Sequence, residues 1–101
     1  MTASDTSDDA QGLLGDVRRR LADVPAATIV ANHAIGLYEL AAIHLSAQPC
    51  ALAEAALAID ALSGLLDAVE ARLGEDADTL SQALATIRLA YVNLAGTLSD
   101  A

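Results

Sequence analysis

Three long Ala/Leu-rich stretches, about Ala26–Ser46, Leu52–Leu73 and Thr79–Leu98, carry apolar residues around more of their circumference than a single 101-residue chain can cover. That surplus limits what the chain can fold into. Hydrophobic residues make up 54% of the sequence but aromatics only 2%, with no Phe and no Trp, so Ala and Leu must fill the core. Both favour helices, and the β-branched and aromatic residues that favour strands are sparse. The expected class is all-α, in one domain, since the length matches a single core of ordinary size.

Residues 1–11 are polar and acidic with little to bury, and are expected to form a disordered acidic tail ahead of a single helical domain over 12–101. Leu13, Leu14, Val17 and Leu21 then recur at helical spacing, with Asp16 placed to meet Arg19 and Arg20. A short first helix follows, weakened at its start by Gly12 and Gly15 and ended by Pro25, which disfavours helical geometry at Val24.

Pro25 suits the first position of the next helix, about Ala26 to Ser46. At about 100° per residue, Val30, His33, Leu37, Leu40, Ala41 and His44 share one stripe, widened by Ile29, Ile43 and Leu45. A helix apolar nearly all round is expected in a core. Pro49 marks the next connection. From Leu52 to Leu73 a heptad pattern holds Leu52, Ile59, Leu66 and Leu73 at one position and Ala55, Leu62 and Val69 at the other. The opposite side, Leu57, Ala61, Gly64 and Ala68, is small enough for another helix to approach. Arg72 and Gly74 are C-terminal signals.

Glu75, Asp76 and Asp78 place negative charge at the positive end of a last helix from about Thr79 to Leu98, with Thr79 and Gln82 spaced as a capping box. Its main stripe is Leu80, Leu84, Ile87, Tyr91, Leu94 and Leu98, which pairs with the heptad stripe of the preceding helix as an antiparallel hairpin. A second stripe, Ala85, Leu89, Val92 and Gly96, lies roughly 150° away. The pattern predicts three long helices plus a short N-terminal one in an antiparallel helical bundle completed by dimerisation. Ala85, Leu89, Val92 and Gly96 are the expected interface.

The composition also excludes functions. A formal net charge of −9, with five Arg and no Lys, removes the basic footprint that nucleic-acid binding requires. The acidity suits solubility, and also a basic protein partner. The most apolar stretch, Val24 to Leu45, is interrupted by Asn32, His33, Glu39 and His44, each costly in hydrocarbon, so no membrane span is expected. The N-terminal residues lack a positive segment followed by an apolar run, which reads as cytoplasmic. One Cys cannot form an internal disulfide.

No catalytic motif, phosphate loop or metal-ligand spacing emerges, so no enzyme activity and no cofactor is expected. His33 and His44 are eleven residues apart on one face, but the helical rise separates them by about 16 Å, too far to share a metal within one chain. They read as buried or half-buried structural histidines. Glu39 precedes His44 by five residues, whereas a di-iron bundle needs Glu-x-x-His. Cys50 has no basic neighbour in sequence to activate it. Arg18, Arg19 and Arg20 form the one basic run, read as a solvated, locally paired face, with a small anion or acidic peptide as its sharper use. Tyr38 and Tyr91 suit a core, rings inside and hydroxyls reaching out.

Val24-Pro25-Ala26-Ala27, Leu52-Ala53-Glu54-Ala55 leading to Ile59-Asp60-Ala61-Leu62-Ser63-Gly64-Leu65-Leu66, and Leu80-Ser81-Gln82-Ala83-Leu84 followed by Leu89-Ala90-Tyr91 resemble a small all-helical family of actinobacteria and other bacteria. The resemblance spans about Leu13 to Leu94. That family is a domain of unknown function with no assigned activity or site residues, so it implies a helical fold and transfers no chemistry. The functional expectation is a structural or interaction module that self-associates as a homodimer. The alternative is a small-ligand or metal-binding bundle using His33, Tyr38 and His44.

Overall fold

Four α-helices and one short 3-10 turn account for almost the whole chain in a computed structural model that describes residues 3–100. Helix α1 spans Ala3–Asp23, α2 Ala26–Ser46, α3 Leu52–Val69 and α4 Asp76–Asp100, with the 3-10 turn at Glu70–Arg72 between the last two. There are no strands among the described residues, as the Ala/Leu composition requires.

The first helix is not short. It starts at Ala3, inside the stretch expected to be a disordered tail, and is as long as α2. Residues 1 and 2 of that expected tail lie outside the described residues. The charges along α1 explain why a polar segment can be helical. Arg20 lies in its last turn, where the helix dipole is negative, with Arg18 and Arg19 just before it. The Arg19 guanidinium also pairs with the Asp16 carboxylate one turn away. Val24 and Pro25 end the helix, and Pro25 sits as the cap of α2, just outside it.

Helices α2, α3 and α4 each pack against the other two, while among the described residues α1 makes no extensive contact with any of them. The core lies among the three. From α3 it takes Ala55, Ala58, Ile59, Leu62 and Leu66, with Leu52 and Val69 half-buried at its ends, so the heptad reading of this helix holds. Helix α4 contributes Leu80, Leu84 and Ile87, with Tyr91 and Leu94 packed beside them. Leu98, expected on the same stripe, is exposed.

Helix α2 turns a different face inward from the one its large residues suggest. Ala31, Ala34, Ala41 and Leu45 are buried, flanked by Ala27, Val30, Leu37, Tyr38 and Ala42. Of the expected stripe, Ala41 and Leu45 are thus in the core with Val30 and Leu37 against it, whereas His33 and Leu40 are exposed, His44 is half-buried and Ile43 is 63% exposed. The helix is apolar nearly all round but buried on one side only. Two neighbouring helices cover only one arc of it, and alanines on that arc let their backbones come close.

The turn into α4 follows its sequence signals in part. Gly74 adopts φ +67°, the left-handed conformation that glycine tolerates best, just past the 3-10 turn. Helix α4 then begins at Asp76, so Thr79 and Gln82 lie within its first turns and do not form the expected capping box. The Ser81 hydroxyl donates to the Glu70 carboxylate, tying α4 to the 3-10 turn. At the other connection, the Ala51 N–H donates to the His44 carbonyl at 3.0 Å, joining the start of α3 to the end of α2.

The chain is open for its length. Its Cα radius of gyration is 18.8 Å, where a compact chain of this size would have about 13 Å. Its accessible surface is 7070 Å², against about 5,400 Å² for a folded monomer of its mass.

The alanine face of α2 gives a direct test. Ala34→Leu should destabilise the protein by about 1–3 kcal/mol through overpacking, and Leu62→Ala by about 2–5 kcal/mol through a cavity. Leu40→Ala should cost no more than about 0.5 kcal/mol. Urea unfolding measures all three. A Leu40→Ala loss equal to that of Leu62→Ala would restore the large-residue face to the core.

Candidate functional site

Helix α4 has two apolar faces, and the chain uses one. Leu80, Leu84 and Ile87 face α2 and α3, which places Ala85, Leu89, Val92 and Gly96 outward. All four are exposed, Leu89 at 63% and Val92 at 62%. The stripe expected at an interface is thus bare in the single chain. The outer side of α3 matches it, with Ala61, Gly64 and Ala68 exposed and Leu57 69% exposed.

Between α3 and α4 runs an open groove of about 410 Å³, lined by Ala56, Ile59, Asp60, Arg88, Tyr91 and Val92. Its walls follow from helical spacing. Asp60 and Ser63 flank the buried heptad residues of α3, while Arg88 lies one turn from both Leu84 and Tyr91 on α4. Arg88 Nη2 donates to Ser63 Oγ at 2.6 Å, which clips the two helices together at the rim. The Asp60 carboxylate sits on the same edge, and exposed Asp67 follows it at heptad spacing. The groove therefore has an apolar floor, one carboxylate in its lining and one arginine held by a neutral partner.

A smaller cavity of about 220 Å³ lies where α2 begins and α3 ends, lined by Ala26, Ala27, Val30, Val69, Arg72 and Leu73. It has a single charged group. Neither cavity contains a histidine.

The ligand candidates of the alternative reading do not converge. His33 is exposed and His44 half-buried on the outer flank of α2, whereas Tyr38 packs against the core on its inner side. That corrects the expectation for His33, which water solvates directly. Cys50 is a free, half-buried thiol at the start of the α3 segment, packed against the core. The Arg18–Arg20 run is exposed. Among the described residues, no three His, Cys, Asp or Glu side chains gather where one metal ion could reach them. Tyr91 combines two roles, half-buried against the core and lining the groove.

Sequence reasoning finds Tyr91 and Val92 but not Asp60, Arg88 or Ala56. A signal for Arg88 is present, since it is the one cation on α4 and stands beside the main apolar stripe.

No family model, curated protein or solved structure matches this chain. The resemblance to a small bacterial helical family therefore rests on apolar spacing alone.

The dispersal of the histidines generates a prediction about metals. Chelator should leave both helicity and the thermal midpoint of the native protein unchanged, as followed by circular dichroism. Stoichiometric metal by elemental analysis, lost on His44→Ala, would show instead that a second copy or a ligand completes a site there.

Proposed function

We propose that this protein is a structural or interaction module that works by self-association, without catalytic activity or a cofactor of its own. In this reading α2, α3 and α4 form an antiparallel bundle, because connections of only a few residues return each helix along its predecessor. A second copy completes the core.

One observation carries the proposal. Among the described residues twelve large apolar side chains are exposed: Leu13, Leu14, Val17, Leu21, Val24, Ile35, Leu40, Ile43, Leu57, Leu89, Val92 and Leu98. Only eight are buried: Leu45, Ile59, Leu62, Leu66, Leu73, Leu80, Leu84 and Ile87. Scattered apolar residues on a surface are ordinary, but an excess over the core, arranged in helical stripes, marks an interaction surface. The net charge of −9 disfavours nucleic acid as the partner. It also keeps so apolar a protein in aqueous solution, in keeping with a cytoplasmic location.

Light scattering after size exclusion should give a mass above the 10.3 kDa of one chain at micromolar concentration. A uniform 10.3 kDa at the highest concentrations would sink the proposal. Leu89→Glu should yield a helical protein that associates poorly, since a dimer buries two copies of the new charge at a cost of about a few kcal/mol in total. The same change at Ile87 should unfold the chain. If Leu89→Glu alters neither mass nor circular dichroism, Leu89 faces solvent in the assembly and the interface lies elsewhere.

A further inference from the structure

Helix α1 is the least explained element of the molecule. Leu13, Leu14, Val17 and Leu21 fall within about 100° of its circumference by helical geometry, Val24 follows just past its end, and all five are exposed, since α1 makes no extensive contact with the other helices. On the same wheel Arg18 and Arg20 border this stripe on either side, while Arg19 points away and pairs with Asp16. An apolar stripe edged by two free cations is half of a recognition surface.

The other half is on the body of the protein. The α3–α4 groove offers Ala56, Ile59, Tyr91 and Val92 as an apolar floor with Asp60 in its lining, and exposed Asp67 stands two turns further along α3, outside that lining. Beyond Val24 the chain carries nine acidic residues against Arg72 and Arg88 alone, so the body is strongly negative where the C-terminal half of α1 is positive. That asymmetry selects the body of this same protein over an anionic lipid surface, which would repel the rest of the chain.

We propose that α1 is an exchanged arm: in the dimer the apolar stripe of each α1 lies in the α3–α4 groove of the other copy, with Arg18 and Arg20 meeting Asp60 and Asp67. The proposal rests on the self-association reading and names its contact. Helix-in-groove docking uses anchors at this spacing, and reciprocal exchange closes the pair with two-fold symmetry, leaving no free arm to propagate a fibre. The dimensions agree. An arm of 21 residues is about 31 Å long. The accessible surface of 7070 Å² exceeds that of a compact monomer by about 1,700 Å². A stable interface removes about 800 Å² from each partner.

Full-length variants test the arm separately from self-association. Val17→Glu with Leu21→Glu should raise the dimer dissociation constant by about 100-fold or more and leave the helicity of the body intact. Arg18→Glu with Arg20→Glu should raise it by about tenfold, and adding Asp60→Arg with Asp67→Arg to the same chain should restore much of the loss. If the wild-type protein is a monomer at every concentration, self-association itself fails and the arm with it. If the wild type is a dimer that Leu89→Glu dissociates but the arm variants do not, self-association stands and the exchanged arm is overturned. Failure of the charge exchange to restore pairing would likewise overturn the Asp60–Asp67 contact. So would arm variants that keep the dimer but lose binding to phosphatidylcholine/phosphatidylserine vesicles, since α1 would then be a membrane contact.

Discussion

The architecture depends on how closely α2 approaches its two neighbours across small side chains. Ala31, Ala34 and Ala41 on α2, with Ala55 and Ala58 on α3, occupy core positions that most bundles give to leucine. An alanine fills little volume and buries little area, so such a contact contributes less per residue than a leucine layer. What it allows is proximity. The eight large buried residues then come almost entirely from α3, α4 and the turn between them, with Leu45 the sole large one from α2. A core this thin leaves the larger residues of α2, including Ile35, Leu40 and Ile43, outside it.

The same economy governs α1. With no extensive tertiary packing, this helix depends on charge placement along its axis and on local pairing such as that between Asp16 and Arg19. Contributions of that kind amount to a few tenths of a kcal/mol each, so α1 belongs to the least stable part of the molecule. An element held so weakly is ordered most strongly by whatever covers its apolar stripe. Its stability and its binding are then one equilibrium. The bundle of α2, α3 and α4 keeps its own core whether or not α1 is covered.

Several parts of this structure are legible in the sequence because their causes are local. Pro25 and Pro49 bracket α2, and the expected and observed helices coincide at Ala26–Ser46. The heptad of α3 identifies its buried face because Leu and Ile occur there at a period that no other face repeats. The two stripes of α4 separate for the same reason. What escapes sequence reading depends on distant residues. Arg88 reaches Ser63 from 25 positions further along the chain and shares the groove lining with Asp60, and nothing in the local pattern of either helix announces that groove. Helix α1 escapes because polarity argues for disorder, while the ordering of its charges, acidic first and basic last, argues for helix.

The α2 error is the most informative. His33, Leu37, Leu40 and His44 do form a stripe at helical period, and ranking faces by residue size puts that stripe inside. With Val30 and Ala41, which belong to the same stripe, the structure divides it: Ala41 is buried and Val30 and Leu37 pack against the core, while His33 and Leu40 are exposed and His44 is half-buried. A period near 3.6 shows that a face is suited to burial, and it carries no information about which molecule supplies the other side. In a chain whose alanines are placed to bring helices together, the small residues mark the intrachain contact. Ile35, Leu40 and Ile43 are left bare in the single chain, the same division seen on α4 between Leu84 and Leu89. Surplus apolar area in the sequence and exposed apolar area in the structure are thus one property, and the self-association proposed above rests on it rather than on any motif.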